Sequence, residues 1–251
     1  GEHGVGVEKR AVMAYQYDAP TLDLFAKIKR AADPQNIANP LKLIPLDYAN
    51  KARPAQPLEP AVQKMAASLL NRRGPVVPIG ANTRLRTFSS HTFSARPLRR
   101  ILEIDKTNYT ATAEAGVTLD ELAQALAKEN VFCALPAGKG TLGGAFASGC
   151  MPDFYPHVLG LQALLPDGSC VRYGGKLMKN AAGYHLTRLF AGSQGTLGLV
   201  TQLTFKIFAQ PVRPVRACSF RPGKATPLWH ALKTQLDPEG LFPSLPGGTN
   251  A

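Results

Sequence analysis

The chain has 251 residues, 45% of them hydrophobic and 18% charged, a composition that supports a packed core and excludes a disordered or collagen-like chain. Lysine and arginine number 29 against 17 acidic residues, a balance of +12 that attracts phosphates, acidic proteins, anionic membranes or nucleic acid. The basic residues are dispersed in ones and twos, as at Arg72-Arg73 and Arg99-Arg100, and no nucleic-acid-binding motif accompanies them, so a subunit interface explains the charge better than nucleic acid does.

No apolar run approaches a membrane span, and there is no secretory h-region. The four cysteines (Cys133, Cys150, Cys170, Cys218) are scattered without CxxC spacing, as expected of reduced thiols in an intracellular protein; zinc or an iron–sulfur cluster within the chain does not fit them.

The first residues read GEHGVGVEKR, a glycine-rich stretch around Glu2 and His3. An acid beside an imidazole in such a loop usually sits inside an active site, which makes its place at the front of the chain unusual. Residues 24–40 (LFAKIKRAADPQNIANP) and 228–244 (LWHALKTQLDPEGLFPS) then echo one another. Each has an aromatic residue, basic residues at helical spacing and an Asp-Pro. Because a pre-proline residue is pushed out of the helical region, each helix should stop near Asp33 or Asp237. The shared order and spacing suggest two copies of one terminal element.

An α/β pattern lies between the echoes. Residues 60–70 place Val62, Met65 and Leu69 on one helical face. A short buried strand is expected at 76–80, a strand pair at 100–105 and 109–116 around Lys106-Thr107-Asn108, and another strand at 131–135. Thr118 and Glu121 form a capping box for a helix with Leu119, Leu122 and Leu126 on one side. Residues 161–175 read as a hairpin turning at Pro166-Asp167-Gly168. In the last strand, 197–207, Leu199, Leu203, Phe205 and Ile207 share one face, while Gln202, Thr204 and Lys206 share the other.

Three glycine-rich loops adjoin these elements: PIGANTRL (78–85), PAGKGTLGGAFASG (136–149) and AGSQGTLGLV (191–200). Glycine lets backbone approach a ligand and turn its N–H groups inward, an arrangement suited to a pyrophosphate. Neither the dinucleotide GxGxxG nor the P-loop pattern occurs in a fitting context, so the loops point to a nucleotide-type cofactor held by neither of those folds.

Together with AEAGVTLDEL and GGKLMKNAAGYHLTRLF, these loops resemble the FAD-binding domain of the vanillyl-alcohol-oxidase (PCMH) type. Within it the likeness is greatest to the smaller FAD-binding subunit of bacterial glycolate oxidases. The resemblance runs from about 56 to 210 and implies an α+β fold of two α/β subdomains. It implies FAD contacts from Pro78, Gly80, Ala81, Asn82 and Thr83 in the first loop. In the second it implies Pro136, Gly138, Thr141, Leu142, Gly143, Gly144, Ala147 and Ser148, and in the third Gly195, Thr196, Leu197, Gly198 and Val200. Lys179, Asn180, Gly183 and Tyr184 stand in the family's MKNxAGY segment beside the cofactor, although Tyr184 reads equally well as a packed core tyrosine. Covalent members carry a histidine in the first loop; Asn82 and Thr83 stand there instead, which implies non-covalent FAD. His185 replaces a common aspartate and reads as a surface change, and His91, His157 and His230 read as structural or exposed.

GEHGVGxxK in turn resembles the end of the catalytic FAD subunit of the same enzymes, related to D-lactate dehydrogenases. That likeness implies Glu2 as a ligand of a divalent metal, shared with an upstream catalytic unit, and His3 as the catalytic base. The implied organisation is 1–48, the tail of a catalytic unit; 56–210, the FAD domain; and 211–251, a second short tail. Only about twenty residues separate Phe208 from Trp229, too few for the family's substrate cap, since a domain needs at least roughly 50.

The implied function is an FAD-dependent oxidoreductase module of a complex oxidising a 2-hydroxy acid (glycolate or D-lactate), with a catalytic FAD subunit and an iron–sulfur subunit as partners. Its implied place is the cytoplasm, at the inner face of the membrane through those partners. The alternatives are a cap-less FAD scaffold or electron relay without substrate chemistry, and a basic interaction module with vestigial loops.

Overall fold

The computed structural model describes residues 4–72, 74–83, 91–180, 182–219 and 223–245. The first echo begins after a short helix α1 (Met13–Gln16): Asp18 caps the next helix through the Thr21 N–H, and a proline stands in its first turn. This helix, α2 (Ala19–Ala32), stops at Asp33 as the Asp-Pro pair requires. A single turn α3 (Tyr48–Lys51) follows, then α4 (Pro60–Leu70), which buries Val62, Met65 and Leu69 as its spacing predicts.

The expected strand at 76–80 forms as β1 (Val77–Ile79), and it pairs in parallel with β2 (Thr92–Ser94), a partner the sequence did not reveal. Then come β3 (Ile101–Asp105) and β4 (Thr110–Glu114), antiparallel, with the Asp105 carboxylate accepting from the Asn108 N–H at 2.9 Å to close the turn. Thr118 and Glu121 complete a reciprocal capping box at the head of α5 (Leu119–Lys128). Its buried stripe is Leu119, Leu122 and Leu126, each contributing about 1.5–3 kcal/mol of apolar burial.

The strand expected at 131–135 reduces to a single bridge between Phe132 and Phe208. Ala134 lends its carbonyl instead to the Val215 N–H, so this stretch serves as a seat for the later chain and not as a sheet member. Helix α6 (Leu142–Ala147) leads through a 3₁₀ turn (Pro152–His157) into β5 (Val158–Leu164) and β6 (Cys170–Gly174), the expected hairpin. Asp167 accepts from the Ser169 N–H and Gly168 takes φ +77°, which fits the predicted turn. After α7 (Leu186–Phe190), β7 (Leu199–Lys206) enters the middle of the sheet. Leu199, Leu203, Phe205 and Ile207 are buried as expected. Thr204 is buried too, because its hydroxyl pairs with that of Thr112 at 3.0 Å across the β4–β7 ladder.

The result is an antiparallel sheet of order β3-β4-β7-β5-β6 beside the small parallel pair β1-β2. Two clusters of buried side chains match the two parts. The larger packs α2, α5, α6 and the sheet; the smaller packs α4, Val76 and β2 against Leu164, Cys170 and Leu199 of the sheet. This is the two-subdomain α+β arrangement that the resemblance implies. From Lys206 to the last helix, α8 (Pro227–Leu236), the described residues form no helix or strand beyond the bridge at Phe208.

The two echoes adopt the same local structure. Asp33 and Asp237 both end their helices, with φ, ψ of −146°, 73° and −141°, 63°. Asp33 accepts from the N–H groups of Ile37 and Ala38, Asp237 from those of Leu241 and Phe242, all at 2.8–3.0 Å. Lys29 and Lys233, one turn earlier, each pair with their aspartate and donate to the carbonyl of Ala38 or Phe242. A lysine–aspartate clamp thus fastens each exit to its helix, and α2 packs against α8.

Candidate functional site

The three glycine loops meet around one pocket. Contacts between loops explain why small residues stand there. A Cβ on Gly80 would lie 2.2 Å from the Thr141 hydroxyl, so the first loop rests directly on the second. Gly195, at φ +73°, faces Pro78, where a Cβ would come to 3.1 Å, so the third loop rests on the first. The Gln194 N–H donates to the Ala147 carbonyl at 2.7 Å and joins the third loop to α6.

Thirteen expected residues line the pocket: Pro78, Gly80, Ala81, Asn82 and Thr83 from the first loop; Thr141, Gly143, Gly144, Ala147 and Ser148 from the second; Gly195, Gly198 and Val200 from the third. Among the described residues the lining carries no charged side chain, and backbone N–H groups and hydroxyls are what it offers an anion. Among the described residues, the N–H groups of Gly80, Ala81 and Thr83 donate to no backbone carbonyl. The second loop differs from expectation. The N–H groups of Leu142 and Gly143 donate to Val117 and Ala115 at 2.8 Å, and that of Gly144 to the Thr141 hydroxyl at 3.2 Å. These amides fasten α6 to the end of β4, leaving the second loop as a close, side-chain-poor wall.

Other expected residues lie outside the lining. Leu142 and Leu197 are core side chains. The Gly138 carbonyl accepts from the Asp120 N–H at the start of α5, two residues on from the half-buried Pro136. Thr196 is buried, with its hydroxyl on the Ser193 carbonyl at 2.6 Å. The segment with Lys179, Asn180, Gly183 and Tyr184 is not gathered with the loops but meets the first tail. Lys179 is exposed, and Asn180 donates to the Tyr17 hydroxyl at 3.3 Å. Gly183, at φ +83°, sits where a Cβ would be 2.5 Å from the Phe25 ring, and Tyr184 packs edge-on against Phe25 at 5.6 Å. Burial raises the Tyr184 hydroxyl above its usual pKa. His185 is exposed and bonded to the Thr187 hydroxyl at 2.7 Å. Glu2 and His3 lie outside the described residues, and among the described residues no His/Cys/Asp/Glu group could hold a metal ion.

Burial pushes Tyr17 to about 12, so it stays a neutral donor, and its hydroxyl reaches the Ala182 carbonyl at 2.8 Å. Tyr17→Phe is expected to cost about 1 kcal/mol, or about 2–4 °C in Tm, by thermal unfolding. An unchanged Tm would mean that this contact does not hold the first tail in place.

Sequence reasoning missed Ile79, Ala95, Ala115, Gln194 and Leu199 in the lining. Ala115 follows directly from AEAGVTL, since small residues at a strand end permit close approach. Ala95 carried no signal, because it arrives through the unforeseen parallel pairing of β2.

A pocket built from three glycine loops at the meeting of two α/β subdomains defines a nucleotide-cofactor domain. Residues 59–174 match the family described as FAD binding domain, and residues 1–43 match the C-terminal domain of FAD linked oxidases. These matches show that the chain carries an FAD-binding domain, of the PCMH-type fold, and that its cofactor is FAD. It is similar to glycolate oxidase subunit GlcD of Bacillus subtilis (36% identity; 55% of this chain, 33% of the relative) and to D-lactate dehydrogenase of Anaerostipes hadrus (29%; 78% and 46%). Glycolate oxidase subunit GlcE of Escherichia coli is 32% identical over 60% of this chain and 47% of the relative. The chain therefore spans between a third and a half of the length of these relatives. Among the described residues no helix is long and apolar enough to cross a membrane.

The described lining fits a reversibly held FAD: it has close glycine walls and three N–H groups that donate to no backbone carbonyl, and among the described residues it contains no histidine, cysteine or tyrosine for attachment. Acid precipitation is expected to leave the flavin in the supernatant. Colour retained in the pellet would overturn non-covalent binding.

Proposed function

We propose that this chain is the FAD-binding module of a complex that oxidises a 2-hydroxy acid, glycolate or D-lactate, and passes the electrons to an iron–sulfur partner. The observation that carries this reading is the convergence of the three loops on one pocket, in a chain similar to a glycolate oxidase subunit and a D-lactate dehydrogenase. Bound FAD supplies two-electron redox chemistry. The chain's own part is to hold it: Gly80, Ala81 and Thr83 offer N–H groups, Gly143 and Gly144 form a wall, and Gly195, Gly198 and Val200 close the opposite side. In this reading residues 1–48 are the tail of a catalytic unit, 56–210 the FAD domain and 211–251 a second tail. His3 serves as base and Glu2 as metal ligand only when an upstream unit completes their site.

A second reading, a cap-less electron relay or scaffold, is favoured by the lack of helix or strand among the described residues between Phe208 and Pro227. The two are separated by assembling the chain with catalytic and iron–sulfur subunits of the glycolate-oxidase type and adding glycolate or D-lactate without oxygen. If this chain's flavin bleaches, it takes part in the redox path and the scaffold reading falls. If the catalytic subunit's flavin bleaches while this one stays oxidised, the scaffold reading stands.

A further inference from the structure

The two lysine–aspartate clamps are alike within their own tails but differ in what else they touch. Lys29 donates to Asp33 and to the Ala38 carbonyl. Lys233 makes the same two bonds and a third, to the Thr196 carbonyl at 2.7 Å. Thr196 follows Gly195, which rests on Pro78, and precedes the Gly198 wall. The exit after Asp237 also reaches the first loop: the Leu241 carbonyl accepts from the Val76 N–H at 2.7 Å, at the foot of the strand that leads to Gly80, and Phe242 is fully buried in one cluster with Val76 and Phe93.

We propose that Lys233 is a positioning residue for the FAD pocket, with the second tail acting as a brace that sets the third loop through the Thr196 carbonyl and the first loop through Val76. The proposal rests on the three-loop pocket being the FAD site. An ammonium has three donors, and all three are engaged here by acceptors at fixed positions, so the loop and the tail cannot move independently without leaving a buried charge unsatisfied. Burial lowers the affinity of Lys233 for its proton, and its hydrogen bond and ion pair with Asp237 oppose that. Lys29 provides a matched control, because its clamp has the same chemistry and, among the described residues, no hydrogen bond to a loop of the pocket.

The test is FAD titration of the apo protein for the native chain, Lys29→Met and Lys233→Met, with a thermal melt of each apo form. Both variants should melt lower, but only Lys233→Met should bind FAD more weakly, by tenfold or more. Equal weakening in both variants, or an affinity within twofold of native for Lys233→Met, overturns the brace. A native chain that binds no FAD would instead overturn the placement of the cofactor. Should Lys233→Met fail to fold, hydrogen exchange on the native apo protein decides. The amides of 195–198 should open together with those of Leu241 and Phe242, and separately from those of Ile37 and Ala38. A third loop that exchanges independently of the second tail overturns the proposal.

Discussion

The Gly143→Val/Gly144→Val protein is expected to lose its FAD altogether while keeping a weakened fold. A Cβ on Gly143 would stand 2.7 Å from the Ala115 Cβ and 3.1 Å from the Ala115 carbonyl oxygen, the same carbonyl that accepts the Gly143 N–H. Both partners line the pocket, so relief of this clash requires α6 to lift away from the end of β4 and deform the wall. At Gly144 the added atom meets the Thr141 hydroxyl at 2.9 Å, the group that caps α6 and on which the first loop rests. Neither glycine has positive φ, so the effect is one of close approach and not of backbone conformation. Overpacking of this kind costs about 1–3 kcal/mol per site, which a domain with roughly 5–15 kcal/mol of stability can survive. Flavin absorbance of the purified variant, set beside its circular dichroism, measures both halves of the expectation. Undiminished flavin would place the cofactor elsewhere.

The features legible in the sequence are those whose physics is local. The Thr118–Glu121 capping box needs only two side chains three residues apart, and it forms as expected. The Asp-Pro stops at Asp33 and Asp237 are likewise set within a few residues. What could not be read depends on distant chain. The pairing of β1 with β2 joins two three-residue strands across 79–92, and TFS has too short a pattern to announce itself. The glycines of the second loop suggested open N–H groups, yet their amides are spent on Val117, Ala115 and Thr141, a choice made by where β4 ends. The echo was visible as a repeat, but nothing in residues 228–244 shows that Lys233 reaches Thr196 while Lys29 reaches no loop. The contact of Tyr17 and Phe25 with residues 180–184 spans more than 150 positions and was hidden for the same reason.

This chain alone is expected not to oxidise a 2-hydroxy acid. Removal of hydride from the substrate carbon needs that carbon held over the flavin and a base at its hydroxyl, both at near-contact distance. It also needs a metal or fixed positive charge to hold the carboxylate. The pocket provides walls, hydroxyls and N–H groups, and among the described residues its lining has no acid–base side chain and no cation. The described residues from Phe208 to Thr226 run without helix or strand, and Val215 and Cys218 fasten this stretch to the Ala134 and Cys150 carbonyls of the domain. In the proposed reading the base is His3 and the metal ligand Glu2, and both depend on groups from an upstream catalytic unit. Mixed anaerobically with glycolate or D-lactate, FAD-loaded residues 1–251 should therefore keep an oxidised flavin spectrum. In an assembly with the catalytic unit, turnover should appear, and His3→Ala should lower it. Flavin reduction by the isolated chain at about 1 per second or faster, an ordinary enzymatic rate, would show that the substrate site is complete within these 251 residues and would end the proposal of a shared one.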